Sequence, residues 1–123
     1  MDAQYLLLSE TRTLSFYSTI NLAGYLNFQY WPLLQAIYDD DWDDANHFLS
    51  LNNDAKSART SRYGGTVLHE AVFLRLTEIV EKLVDLMSAK ELEIKDKNGS
   101  TALADATSLQ NTRMVDCMVR KNS

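Results

Sequence analysis

The chain has 123 residues, 46% of them hydrophobic and 24% charged, the balance of one folded domain and too few residues for two. Seventeen acidic against twelve basic residues leave a net charge of −5, so nucleic acid and anionic lipid are disfavoured partners, while a basic protein surface is favoured. A single cysteine, Cys117, excludes an internal disulfide and fits a reducing compartment such as cytoplasm or nucleus. With only His47 and His69 beside it, no zinc-ligand set and no cofactor site is legible.

In chain order, Leu6-Leu7-Leu8 is followed at once by Glu10 and Arg12, which leaves no apolar core for a signal peptide. Nothing approaches the roughly 18–20 apolar residues of a membrane span, so a soluble chain without membrane insertion is expected. The apolar residues of 1–29, among them Tyr5, Phe16, Tyr17 and Tyr25, fit either an irregular cap or a loose arm. From Tyr30 onward a helical pattern sets in, with Pro32, Leu33 and Ala36, then an acidic turn, then Ala45, Phe48 and Leu49.

The next helix is expected from Thr66 to about Leu74, its hydroxyl capping a stripe of Leu68, Ala71 and Val72. Its partner, about Thr77 to Met87, carries Ile79, Val80, Leu83, Val84 and Met87 on one face. Asp96-Lys97-Asn98-Gly99 is a turn, because Asn and Gly tolerate positive φ, and Ser61-Arg62-Tyr63-Gly64-Gly65 is its counterpart. A third helix pair follows, with Thr101, Leu103 and Ala106, then Met114, Val115, Met118 and Val119.

These segments repeat. Thr66 and Thr101, Leu68 and Leu103, Ala71 and Ala106, Val80 and Val115, and Val84 and Val119 each lie 35 residues apart, and the same step backward reaches Leu33, Ala36, Ala45 and Leu49. One offset aligns three gapless copies, at about 30–60, 61–95 and 96–122. A two-helix unit of this size cannot bury its own stripe, so stacking on its neighbours must stabilise it.

Asp96-x-x-Gly99-x-Thr101-Ala102-Leu103 and Gly64-x-Thr66-Val67-Leu68-His69-x-Ala71 resemble the ankyrin pattern D-x-x-G-x-T-P-L-H-x-A. Val80-x-x-Leu83-Val84 resembles its later V-x-x-L-[LV] segment. Tyr30-Trp31-Pro32-Leu33-Leu34-Gln35-Ala36 with Asp41-Trp42-Asp43-Asp44-Ala45 is similar to the opening repeat of plant ankyrin proteins that end in a transmembrane Pro-Gly-Gly domain, which is absent from this sequence. The resemblance implies an all-α solenoid of about three helix–turn–helix repeats with short turn connections. It also implies protein binding in plant signalling, stress or defence. The alternative is a cytosolic fragment or truncated remnant of a membrane-anchored protein, with no activity of its own.

Two departures from the pattern carry a cost. The Gly that normally separates the paired helices is replaced by Asp40, Arg75 and Gln110, and a left-handed Arg or Gln costs about 1 kcal/mol or more. Ala104 stands where the motif has His, so Thr101 lacks a reciprocal capping partner. About three repeats is also the lower limit for a solenoid, so marginal stability is expected.

No chemistry-bearing constellation outweighs its structural reading. His69 is read as the capping partner of Thr66, and no orienting group accompanies a His69–Cys117 pair, so no enzyme is expected. Asp39-Asp40-Asp41-Trp42-Asp43-Asp44 lacks the alternating ligands, Gly and Glu of a calcium loop and reads as a solvated turn preceding a helix N-terminus. Gly64-Gly65 has no Lys-Ser/Thr of a phosphate loop, and Met87, Met114 and Met118 sit at core positions.

In ankyrin-like stacks the turn tips and the outward face of the first helices form the binding surface. By that resemblance, the surface here comprises Gln35, Tyr38, Arg62, Tyr63, Glu70, Phe73, Leu74, Lys97, Asn98 and Asp105, with Thr66, His69, Gly99 and Thr101 shaping the motif. Tyr38, Tyr63, Phe73 and Leu74 are its apolar anchors, and for Phe73 and Leu74 packing between repeats is an equal reading. The partner is another protein. Self-association through an open C-terminal end at Met114, Val115 and Met118 is a further expectation.

Overall fold

A computed structural model of the chain describes residues 28–61 and 63–122, so all but the last two residues of the segment read as an arm or cap, like Arg62, lie outside the described residues. Among the described residues all regular structure is helical. The elements are α1 (Trp31–Tyr38), α2 (Trp42–Leu51), α3 (Val67–Phe73), α4 (Thr77–Leu86), α5 (Ala89–Leu92), α6 (Ala102–Ser108) and α7 (Thr112–Asn122). Short 3-10 turns cover Phe28–Tyr30 and Asn53–Lys56.

Most of the helices start where the sequence supplies a partner for free N–H groups, whereas α1 and α4 begin at Tyr30 and Leu76 without a side-chain cap. Pro32 sits in the first turn of α1, where a missing N–H costs nothing. Asp41 caps α2 by accepting from the Asp44 N–H at 3.1 Å, and Asp43 and Asp44 lie in the first turn, where the helix dipole favours carboxylates. Thr101 caps α6 through the Ala104 N–H, also at 3.1 Å. Ser88 and Glu91 form a reciprocal box around the one-turn helix α5, at 3.1 and 2.8 Å.

The ends of the first helices repeat one geometry three times. Asp40, Arg75 and Gln110 all take positive φ, at 55°, 62° and 58°. Around them the N–H of Asp41 bonds the carbonyl of Ala36, that of Leu76 bonds Ala71, and that of Asn111 bonds Ala106. Asp40, Arg75 and Gln110 bond back to Ile37, Val72 and Thr107 in turn. This is the Schellman closure, built three times without its usual glycine.

The helices pack as pairs, α1 with α2, α3 with α4 and α6 with α7. The first helices also lie in a row, α1 against α3 and α3 against α6, while α4 packs on α7. One continuous apolar core runs through the stack, with Leu33, Ile37, Leu68, Val72, Val80, Leu83, Met87, Met114 and Met118 fully enclosed. At about 25 cal/mol per Å² of apolar surface, such shared burial supplies what no single pair could.

Polar contacts pin neighbouring copies in register. Arg113 forks onto the Glu81 carboxylate at 2.7 and 3.1 Å, and Asn111 Nδ2 donates to Thr77 Oγ1 at 3.2 Å. The Arg113 guanidinium holds the Glu81 carboxyl below its ordinary range, although an exposed pair of this kind adds little stability. Lys56 and Lys121 reach from one copy to carbonyls of another, Leu86 and Asp85, each at 3.1 Å.

Candidate binding surface

Two turns project beside the first helices, and they too are related by 35 residues. In one, the Ser61 N–H bonds Gly65 O and the Gly64 N–H bonds Ser61 O; in the other, Asp96 bonds Ser100 O and Gly99 bonds Asp96 O. Positive φ falls on Tyr63 and Gly64 in the first and on Gly99 in the second. Asp96 Oδ1 closes the second turn by accepting from the N–H groups of Asn98 and Ser100, both at 2.9 Å. The turns are bonded to each other, since the Lys97 N–H donates to Tyr63 O at 2.6 Å.

His69 locks this assembly from below. Its Nδ1 accepts from the Thr66 N–H at 3.0 Å and lies 3.1 Å from Thr66 Oγ1. The proton is thereby assigned to Nε2, which sits 2.9 Å from the Ser100 carbonyl of the next turn. One side chain thus caps α3 and ties the second copy to the third. The ring is only 6% exposed and presses so close to Gly65 that a Cβ there would come within 2.6 Å of His69 Cγ. Gly65 is required for that approach, and Gly64 for its positive φ.

His69, Asp96 and Asp105 bring potential ligand atoms within 4.8 Å of one another. Coordination at Nε2 would need an imidazole that has lost both protons, because Nδ1 already accepts from Thr66. His69 and Asp96 are thus already engaged with backbone groups. Burial pushes the Asp105 carboxyl above its ordinary range, with attraction from His69 opposing and repulsion from Asp96 adding. Burial likewise raises the Cys117 thiol, which donates to Met114 O and lacks the activation of a nucleophile.

The residues expected on the binding surface divide three ways. Tyr63 (56% exposed), Phe73 (57%), Lys97 and Asn98 face solvent. Gln35, Tyr38, Leu74 and Asp105 are half-buried. Glu70, expected to face outward, is instead buried with the core of α3, and Arg62 lies outside the described residues. Of the expected open end, Met114 and Met118 are enclosed in the stack and only Val115 is half-exposed. Sequence reasoning passed over Leu51 and its counterpart Leu86, both exposed and off the apolar stripe, and read Val119 as a stripe residue although it is 49% exposed.

No described helix is long and apolar enough to cross a membrane. Comparison with protein-family profiles, with curated proteins and with solved structures finds no match to this chain.

Proposed function

We propose that the chain is an ankyrin-type repeat module that binds another protein across its turn tips and the outward ends of its first helices. One observation carries the reading: the second copy buries its whole apolar stripe, yet leaves Tyr63 and Phe73 more than half exposed. Tyr63 precedes α3 and Phe73 ends it, and the helix is about 10 Å long, so both aromatic anchors stand on one unit. Large aromatic side chains of this kind dominate the affinity of protein interfaces. Lys97 and Asn98 supply a polar rim beside Tyr63.

The family assignment rests on the 35-residue register, the Thr66–His69 capping pair and the three identical helix closures. A cytoplasmic setting and plant signalling come with the resemblance and belong to the same proposal.

The test is affinity capture with the full chain and with a Tyr63→Ala/Phe73→Ala variant. Both side chains are exposed, so the variant is expected to melt as the parent does while losing its partner at least tenfold. Equal capture by both, with intact melts, would remove this surface from consideration.

A further inference from the structure

Among the asparagines of the sequence, only Asn98 is followed by glycine. The pairing has a chemical consequence, because the amide nitrogen after an asparagine can close a five-membered imide on its carboxamide. Any side chain on that next residue hinders the approach, and glycine has none. Here both residues are exposed, and a Cβ at Gly99 would meet no atom within 4 Å. Asn111 makes the contrast. Its Nδ2 donates to Thr77 Oγ1 at 3.2 Å, its Oδ1 accepts from the Met114 N–H at 3.1 Å, and the β-branched Thr112 follows it.

What restrains Asn98 is the turn itself. The Gly99 N–H is held by Asp96 O at 3.0 Å, and the Asn98 and Ser100 N–H groups by Asp96 Oδ1, both at 2.9 Å. Hydrogen bonds at an exposed turn tip open locally, at a fraction of the free energy of global unfolding. Each opening frees the Gly99 nitrogen beside the Asn98 carboxamide.

We infer that Asn98 is a site of spontaneous deamidation, and that its product loosens the joint between the second and third copies. The Gly99 N–Asn98 Cγ bond forms, the Cγ–Nδ2 bond breaks, and the Gly99 amide proton leaves with Nδ2 as ammonia. Water then opens the imide. Cleavage at Cγ restores the chain with aspartate; cleavage at the main-chain carbonyl leaves isoaspartate, with the chain running through the former side chain. Both products add a carboxylate beside Asp96. Isoaspartate also inserts a methylene between the residue-98 and residue-99 N–H groups, which must both reach Asp96 for the turn to close. The same turn presents the Ser100 carbonyl to His69 Nε2, so opening it removes a contact between copies. The inference holds whether or not the turn tips bind a partner.

The test stores the full chain in mildly alkaline buffer, with samples taken over days for peptide mapping by mass. A gain of about 1 Da should be confined to the fragment that carries Asn98, with isoaspartate in it that an isoaspartyl methyltransferase labels. A free peptide of residues 91–104 gives the rate without the fold. The folded chain should convert more slowly than the peptide, and Asp96→Ala, which removes two closing bonds, should bring it closer to the peptide rate. Chain rich in isoaspartate should melt about 5 °C or more below fresh chain, whereas Asn98→Ser should keep its melt through the same storage. If Asn98 stays intact in the folded chain while the peptide converts fully, it is not a modification site. Conversion to isoaspartate with an unchanged melt would overturn the effect on the joint.

Discussion

The second and third copies carry the same threonine at the same helix start, yet the two starts are built differently. At Thr66, His69 closes a reciprocal pair and continues to Ser100 in the next turn. At Thr101, where Ala104 replaces the histidine, a single bond from the Ala104 N–H remains and no side chain reaches onward. His69 therefore does two things that the Thr101 start does not: it returns a bond to the capping residue and it holds the neighbouring turn. A cap that also bridges couples the stability of two repeats, whereas one that only caps stabilises its own.

The largest expected effect follows from that coupling. His69→Ala removes both contacts at once and empties a buried ring site against Gly65. Loss of a buried side chain with its hydrogen bonds costs about 2–4 kcal/mol, a large share of the stability of a small domain. Thr101→Ala, which removes a single cap, should cost about 1 kcal/mol. Urea melts of the two variants measure the contrast directly. Equal losses would show that the bridge to Ser100 adds nothing to the cap.

A middle-sized effect is expected from the closures, where the three copies agree in geometry and differ in residue. Glycine in place of Arg75 or Gln110 relieves a left-handed residue, and each change should raise stability by about 1 kcal/mol. Asp40→Gly should gain less, because Asp tolerates that region. A rise in melting temperature in the order Arg75 and Gln110 above Asp40 would confirm that strain, not local contact, sets the difference. A uniform or absent gain would mean that the Schellman bonds offset the strain at every site.

The closures were legible because 35-residue spacing put Asp40, Arg75 and Gln110 at one structural position, and the ankyrin resemblance, which has a left-handed Gly there, implied the positive φ that all three take. The all-helical architecture and the limits of α3 and α4 followed from the same periodicity. Other features depended on depth, which spacing does not encode. The resemblance puts Glu70 on the outward face of the first helix, yet it is enclosed with α3. Met114 and Met118 carried two readings, core packing and an open end, and only the first holds, because their side of α7 packs on α4. The short helix α5 had a readable signal in Ser88-x-x-Glu91, which the repeat pattern overshadowed.

The smallest effect concerns Asp105, which holds in the third copy the place Glu70 holds in the second. Burial raises its carboxyl above the ordinary value of 3.8, so the folded state binds this proton more tightly than the unfolded state. Its contribution to stability is therefore complete below that ordinary value and is lost as pH rises through the raised one. Asp105→Asn, which cannot ionise, should match the parent in acid and exceed it slightly at neutral pH. Urea melts at both conditions read the difference between the two gaps, in which carboxylates remote from Asp105 cancel. A gap that is constant with pH would mean the Asp105 carboxylate is as well solvated in the folded stack as in the unfolded chain. The distinction between the two copies would then rest on His69 and Ala104 alone.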